Sequence, residues 1–447
     1  MQIRKDVFRS YDIRGIYEKQ ITNDLAYMIG KAFGTISDGS VIVGHDARIS
    51  SNALNTNLIK GLVETGVKVV DIGLVTTPML YYARELLNIP FAIMITASHC
   101  VKEYNGFKLC DDEGAMYGDK IQNFLKLILS NDFKNGSGFV EPYDISSNYK
   151  KLMEEKINLN NKNIKVVVDC GNGTASFINP DIIKKWGVEV VPLFCESDPN
   201  FPNHIPDPAV ESNMHALEKK VIEEQADLGI AFDGDGDRIG IVDENGKLVK
   251  TDMFMLIIWK SIYKTCKNKL AAFDVKCSKA LKESLENLGL RTMYNRTGHS
   301  YLKKAIKDYN LDFAGEFSGH VCFNDDFYGY DDALYAAGRL LQILSYSELK
   351  VSSFFADAPQ YITSAEMYIE VGEAKKDKIV NKVLNYARVK GYETIDIDGV
   401  RIEYPDGFAL VRKSNTSPSI TVRFEGKTKE SMEGHRLEIM RIINEEL

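Results

Sequence analysis

Four short stretches of the chain gather reactive side chains at turn positions. The first is Thr96-Ala97-Ser98-His99, straight after the apolar run FAIMI. A hydroxyl at the C-terminal end of a strand, beside an imidazole, suits a nucleophile or a phosphate carrier. By itself the stretch reads equally well as a turn with a helix-capping serine. The second is Asp233-Gly234-Asp235-Gly236-Asp237-Arg238. Carboxylates at i, i+2 and i+4 with Gly between them converge on one hard cation, and Mg²⁺ takes such oxygen ligands. A solvated acidic turn is the weaker reading, because like charges this close repel without a cation among them. Asp233, Asp235, Asp237 and Glu244 also fall at the ligand spacing of an EF-hand. Arg238 stands where that loop needs Gly, and the flanks read as strands, so the EF-hand is rejected. The third stretch, Gly315 to His320, offers Glu316, Ser318 and His320, groups suited to sugar hydroxyls, or simply a polar loop. The fourth, Arg412-Lys413-Ser414-Asn415-Thr416, offers a guanidinium with hydroxyl, amide and backbone donors for a phosphate. Those residues are also ordinary in a hairpin turn.

Further polar side chains sit in Tyr11-Asp12-Ile13-Arg14-Gly15, in Asn105-Gly106-Phe107-Lys108, in Asp274-Val275-Lys276 and in Thr297-Gly298-His299-Ser300. Of the seven histidines, His99, His299 and His320 are the ones placed for function.

The elements that must position these groups follow from hydrophobic patterning. Residues 41–110 alternate short apolar runs (VIVGHD, VKVVDIG, FAIMITAS) with helix-like stretches, the pattern of a parallel sheet with crossover helices. It weakens across the Gly-, Ser- and Asn-rich residues 130–144, which predicts a boundary near 145. The alternation restarts with KVVVDCGNG and DLGIAFDGDGDR and ends near 248, after a hairpin-like IGIVDENGKLV. A third α/β unit holds LAAFDV, RTMYNR and DFAGEFSGH. From about 362, consecutive strands with a hairpin turn at Asp406-Gly407, flanked by helical segments, predict an α+β domain. The expected domains are 1–145, 146–248, 249–361 and 362–447.

Composition narrows the partners. With 447 residues, several domains are expected at roughly 100–200 residues each. The 55 basic and 63 acidic residues give a formal charge of −8, a poor match for nucleic acid or an anionic membrane. An anionic substrate must therefore be met by a local cluster of Arg and Lys. The seven cysteines are scattered without a CxxC pair, which argues against a disulfide framework or a zinc site and for a reducing cytoplasm. The N-terminus lacks an apolar h-region, and the longest apolar runs, such as Phe254 to Trp259, are too short to span a bilayer.

Taken together and in order, YDIRG, TASH, NGFKL, DGDGDR, TGHS, GEFSGH and RKSNTSP resemble the α-D-phosphohexomutase superfamily, and within it the phosphomannomutase/phosphoglucomutase group. The stretch from Asp198 to Pro208, to which the residue types alone give no role, fits as well. The resemblance implies three α/β domains with mixed sheets and a C-terminal α+β domain, arranged around a central cleft. It implies interconversion of hexose 1-phosphate and hexose 6-phosphate, of mannose or glucose, through a hexose 1,6-bisphosphate. It implies a phosphoserine at Ser98 and Mg²⁺ held by Asp233, Asp235, Asp237 and a phosphoserine oxygen. Glu316, Ser318 and His320 would contact the sugar, and Arg412, Ser414, Asn415 and Thr416 its phosphate. Tyr11, Arg14, His99, Lys108, Arg238, Lys276 and His299 match other active-site positions, with Lys108 or His299 as the proton-transfer group.

One departure stands out. The resembling family continues TASHNP, whereas this chain has Cys100 and Val101 in place of the Asn and Pro. A thiol is a weak hydrogen-bonding group, and loss of Pro loosens a turn. Three rival readings remain: a phosphoglucosamine mutase, ranked lower because Phe317 stands where that group usually has Gln; a magnesium-dependent sugar phosphatase with Asp233 as nucleophile; and a non-enzymatic sugar-phosphate binder.

Overall fold

Strands buried on both faces need continuous apolar runs, and the first sheet is built from such runs. In the computed structural model, which describes residues 3–160, 163–414 and 418–447, Ala92–Ile95 and all but the first residue of Ser40–His45 are buried. Residues 1–251 with 318–354 form one compact unit, and residues 252–317 with 355–447 a second.

The first unit holds two sheets. The larger has the strand order Ile13–Ile16, Tyr104–Asp111, Ala92–Ile95, Ser40–His45, Lys68–Leu74, Phe139–Pro142. The expected parallel sheet is therefore mixed. Tyr104–Asp111 runs antiparallel to both of its neighbours. The residues read as a loop near 140 also contain a strand, Phe139–Pro142, which pairs in parallel with Lys68–Leu74. Its side chains are exposed, so it lacks the apolar signature that marks the inner strands. Helices Asn23–Ile36 and Asp119–Ser130 contribute Phe33 and Phe124 to the core of this sheet, where Phe33 meets Phe91 and Phe124 edge-on. The second sheet has the order Leu248–Val249, Ile239–Val242, Leu228–Phe232, Lys165–Asp169, Glu189–Leu193, with the hairpin predicted at 239–249.

In the second unit, Leu270–Asp274 pairs in parallel with Arg291–Asn295 and with Phe313–Gly315. The C-terminal sheet is antiparallel, as expected. One face of it buries Val411, Val422 and Phe424 with Ile379 and Val383 of the helix Glu373–Lys390 and Ile439 and Ile443 of the helix Lys429–Asn444. The other face sends Phe408 and Leu410 against Val275.

The antiparallel pair Ile13–Ile16 and Tyr104–Asp111 places Arg14 opposite Gly106. A Cβ on Gly106 would sit 2.2 Å from the Ile13 carbonyl oxygen, so only Gly allows this approach. Residues 106 and 108 share a face of the strand, which brings Lys108 to the side that carries Arg14. Gly106→Ala is expected to destabilise by about 1–3 kcal/mol, the usual range for overpacking, and to lower activity by displacing Arg14 and Lys108. Thermal melts with parallel rate measurements check this; an alanine variant with wild-type melting and rate would show that the pair is not rigid.

Candidate active site

Ser98 lies at the end of the strand Ala92–Ile95, but no helix follows and its hydroxyl caps nothing. Its backbone is left-handed, with φ 51°, a conformation that costs a non-glycine residue energy and recurs where function requires it. The Ser98 N–H donates to Thr96 Oγ1 at 2.8 Å. The hydroxyl donates to Asp233 Oδ2 at 2.7 Å and lies 3.1 Å from His99 Nδ1.

Asp233, Asp235 and Asp237 are fully buried, and their oxygens lie within 4.8 Å of one another. The loop connects the strands Leu228–Phe232 and Ile239–Val242. Glu244, the fourth residue of the rejected EF-hand spacing, instead accepts from Ser352. Gly234 is needed because a Cβ there would come within 2.3 Å of the Ser98 carbonyl oxygen. Burial, with repulsion from Asp235 and Asp237, pushes the Asp233 carboxyl well above the ordinary carboxylate range. Against the cost of burial, Lys108 and the Thr77 hydroxyl hold Asp235 below its usual value. Lys108 Nζ donates to Asp235 Oδ2 at 2.7 Å and to Asp237 Oδ2 at 2.5 Å. Asp235 Oδ1 and Asp237 Oδ1 are buried without a hydrogen-bond partner among the described residues. Buried carboxylate oxygens left without donors fit a hard divalent cation such as Mg²⁺.

Other groups predicted from sequence gather around this trio. Arg14 is buried against Asp12 at 2.5 Å. Burial opposes its charge, but Asp12 outweighs that and keeps it protonated. Arg238 donates from Nε to His320 Nε2 at 3.0 Å. Tyr11 lies within electrostatic reach of both arginines. His99, half-buried, is held neutral by burial and by the nearby cations, led by Arg238 and Arg14. Ser318 is half-buried in the same unit.

The remaining predicted residues belong to the second unit. Glu316 accepts from the Gly298 N–H at 2.6 Å. His299 opens the helix His299–Tyr309, and its Nδ1 lies 2.9 Å from Lys303 Nζ, so the ring carries its proton on Nε2. Lys276 lies 3.7 Å from Glu366 and 5.9 Å from the Phe317 ring centroid. Arg412 is fixed by Asp398, with Nε at 3.0 Å and Nη2 at 2.9 Å from Oδ2. Ser414 donates its N–H to the Ser419 carbonyl. Asn415 and Thr416 lie outside the described residues.

Sequence reasoning missed the group that holds the serine loop. Arg48 donates to the carbonyls of Ser98 (2.7 Å), Cys100 (2.6 Å), Val101 (2.8 Å) and Tyr104 (3.1 Å), and pairs with Asp46 at 3.2 Å. It also missed the use of Asp198–Pro208. Phe201 lies under the Arg48 guanidinium, Asn203 bonds Asn172, Pro206 abuts Gly234, and Asp207 lies 3.8 Å from Arg238. This stretch braces the serine and acid loops from behind.

Comparison with known proteins agrees with this arrangement. Models of the phosphoglucomutase/phosphomannomutase family match its α/β/α domain I at residues 5–135, domain II at 147–246, domain III at 250–361 and the C-terminal domain at 366–442. The chain belongs to that family. It is a phosphohexomutase, an isomerase. It is 41% identical over 431 residues to a phosphomannomutase/phosphoglucomutase of Pseudomonas aeruginosa, covering 96% of this chain and 93% of that protein. It is 36% identical to a phosphoglucomutase of Neisseria gonorrhoeae, covering 96% and 95%. A crystal structure of a phosphoglucomutase/phosphomannomutase family protein from Burkholderia thailandensis superposes with a TM-score of 0.91 at 36% identity, covering 99% and 98%. Among the described residues no helix is long and apolar enough to cross a membrane.

Arg48 sets the serine loop of this phosphohexomutase, so its removal is expected to show in rate and stability together. Arg48→Ala leaves Asp46 buried and unpaired, at a cost of about 3–5 kcal/mol. Arg48→Lys keeps the charge but loses the planar fork, and a slight displacement of Ser98 is expected to lower the rate about 10²-fold. Melting curves and initial rates of both variants test this; a lysine variant at the wild-type rate would show that the fork is not needed.

Proposed function

We propose that the chain interconverts the 1-phosphate and 6-phosphate of mannose and glucose, with Ser98 as the phosphate carrier. The observation that supports this best is the Ser98 hydroxyl, held in a left-handed turn 2.7 Å from a buried carboxylate of the acid trio. Phospho-Ser98 would transfer its phosphoryl group to the free hydroxyl of the bound sugar phosphate. A new sugar O–P bond forms, the Ser98 Oγ–P bond breaks, and the hydroxyl proton leaves to a base. The bisphosphate then turns over and returns its other phosphoryl group to Ser98.

Mg²⁺, held by Asp233, Asp235, Asp237 and a phosphoserine oxygen, would offset charge on the transferred group. Lys108, Arg14 and Arg238 add positive charge from the protein. His299 and Lys108 are the candidates for the proton. Tyr11, Lys276, Glu316, Ser318 and His320 would contact the sugar phosphate, and Arg412, Ser414, Asn415 and Thr416 would grip whichever phosphate is not reacting. The folding units for these loops are taken as residues 1–145, 146–248, 249–361 and 362–447, working in the cytoplasm.

The test combines mass and rate. Active enzyme is expected to carry one phosphate on Ser98 by peptide mass spectrometry. Ser98→Ala is expected to lose nearly all isomerisation of mannose 1-phosphate and glucose 1-phosphate, and EDTA is expected to abolish it reversibly. Phosphate release by Ser98→Ala at the wild-type level would point instead to Asp233 as the nucleophile of a phosphatase.

A further inference from the structure

His320 is fixed by the protein at both ring nitrogens. Arg238 Nε donates to its Nε2 at 3.0 Å. A guanidinium has donors only, so Nε2 carries no proton and the neutral ring carries its proton on Nδ1. That nitrogen lies 2.9 Å from Asp331 Oδ2 and 3.6 Å from Asp237 Oδ1, so the proton sits between two carboxylates. His320 is 3% exposed and Asp331 is fully buried.

The backbone enforces the arrangement. Isolated bridges join Arg238 to His320 and Cys322 to Asp331, which brings three remote segments into register. Asp331 immediately precedes Asp332, whose carboxylate caps the helix Ala333–Ser345 by accepting from the Tyr335 N–H at 2.9 Å. Asp331 is thus mounted at the start of a rigid element. The oxygens of Asp237 and Asp331 and a nitrogen of His320 lie within 4.8 Å of one another. The Arg238 donor speaks against a cation on Nδ1: a ring ligating through Nδ1 carries its proton on Nε2 and would confront the guanidinium N–H.

We propose that Asp331 is a positioning residue for the mutase reaction. Its carboxylate selects the Nδ1–H tautomer of His320, and the unprotonated Nε2 then fixes the plane of the Arg238 guanidinium. Which ring nitrogen holds the proton is set by what the other nitrogen meets, and a carboxylate behind an imidazole orients it in the same way in metal sites. Arg238 is held with Nε 4.0 Å from Asp233 Oδ2 and Nη1 3.8 Å from Asp207 Oδ1, beside the acid trio. The inference rests on the proposed role of Arg238 at the reacting phosphate.

The tautomer is read directly from long-range ¹H–¹⁵N spectra of the full-length enzyme labelled with ¹⁵N-histidine, with the His320 signals assigned by their loss in His320→Gln. An Nδ1–H ring in the wild type supports the proposal, and an Nε2–H ring overturns it without the need for any Asp331 variant. Asp331→Asn is expected to lower kcat/KM about 10–100-fold, the range seen for such supporting carboxylates. In the His320→Gln background the same substitution is expected to add nothing, because Asp331 acts through the ring. A full additional loss there would mean a purely structural role and would overturn the proposal. Failure of the underlying reading would look different: Arg238→Lys would keep the wild-type rate while the tautomer result stood.

Discussion

Three carboxylates within five residues, all removed from water, impose the constraint that the rest of this site answers. Their mutual repulsion is strong enough to drive Asp233 toward its neutral form. The protein meets it with groups from several segments: the Lys108 ammonium on two of the acids, the Thr77 hydroxyl on Asp235 at 2.6 Å, and the Ser98 hydroxyl on Asp233. Backbone donors help, since the N–H groups of Asp237 and Arg238 both point at Asp233 Oδ1. Two oxygens remain without donors among the described residues. One lysine does not balance three acids, and the same imbalance that favours a cation also draws the serine hydroxyl into place.

The acid loop and the serine loop therefore depend on each other. Gly234 lets the serine carbonyl approach, and that carbonyl is gripped by Arg48. Arg48 is in turn oriented by Asp46, whose other oxygen accepts from the Ser51 hydroxyl at the start of the helix Ser51–Val63. A charge on one loop is thus answered by packing and hydrogen bonding that reach into the body of the larger sheet. In the second unit the same device recurs. Arg401 donates to the carbonyls of Val275 and Cys277 at 2.7 Å while stacked on Phe408, and Arg423 donates to the Lys276 carbonyl while stacked on Phe317. Buried arginines hold the backbone on both sides of a cationic side chain that faces solvent less than a tenth of the time its free form would.

What was legible in the sequence was what is local. DGDGDR shows its charge spacing in six residues, and the strand on either side shows in its apolar run. The turn at Ser98 was legible as a position, but its left-handed backbone was not, because nothing in TASH announces it. Arg48, Asp331 and Asp398 were missed for one reason: each acts on residues more than ten positions away, and each sits in a stretch that reads as ordinary. The strand Tyr104–Asp111 was missed because Asn105, Gly106 and Lys108 break its apolar pattern. Those three are buried for the sake of the site and for close strand approach, so function overrode the patterning rule there.

Cys100 shows how far the same logic reaches. By resemblance an Asn and a Pro belong after His99, and their absence suggests a weaker, looser turn. The structure locates the firmness of that turn elsewhere. Arg48 holds the carbonyls of residues 98, 100, 101 and 104, contacts that no side chain at 100 can supply or remove. Cys100 N–H adds a backbone bond to the Ala97 carbonyl. What the thiol changes is the partner of Arg14, whose Nη1 meets Cys100 Sγ at 3.3 Å. Sulfur is a weak acceptor where an amide oxygen is a strong one, so Asp12 is left as the stronger partner of the Arg14 charge, at 2.5 Å. The substitution therefore acts on the freedom of a guanidinium beside the carrier serine, and it leaves the backbone of the carrier loop held as before.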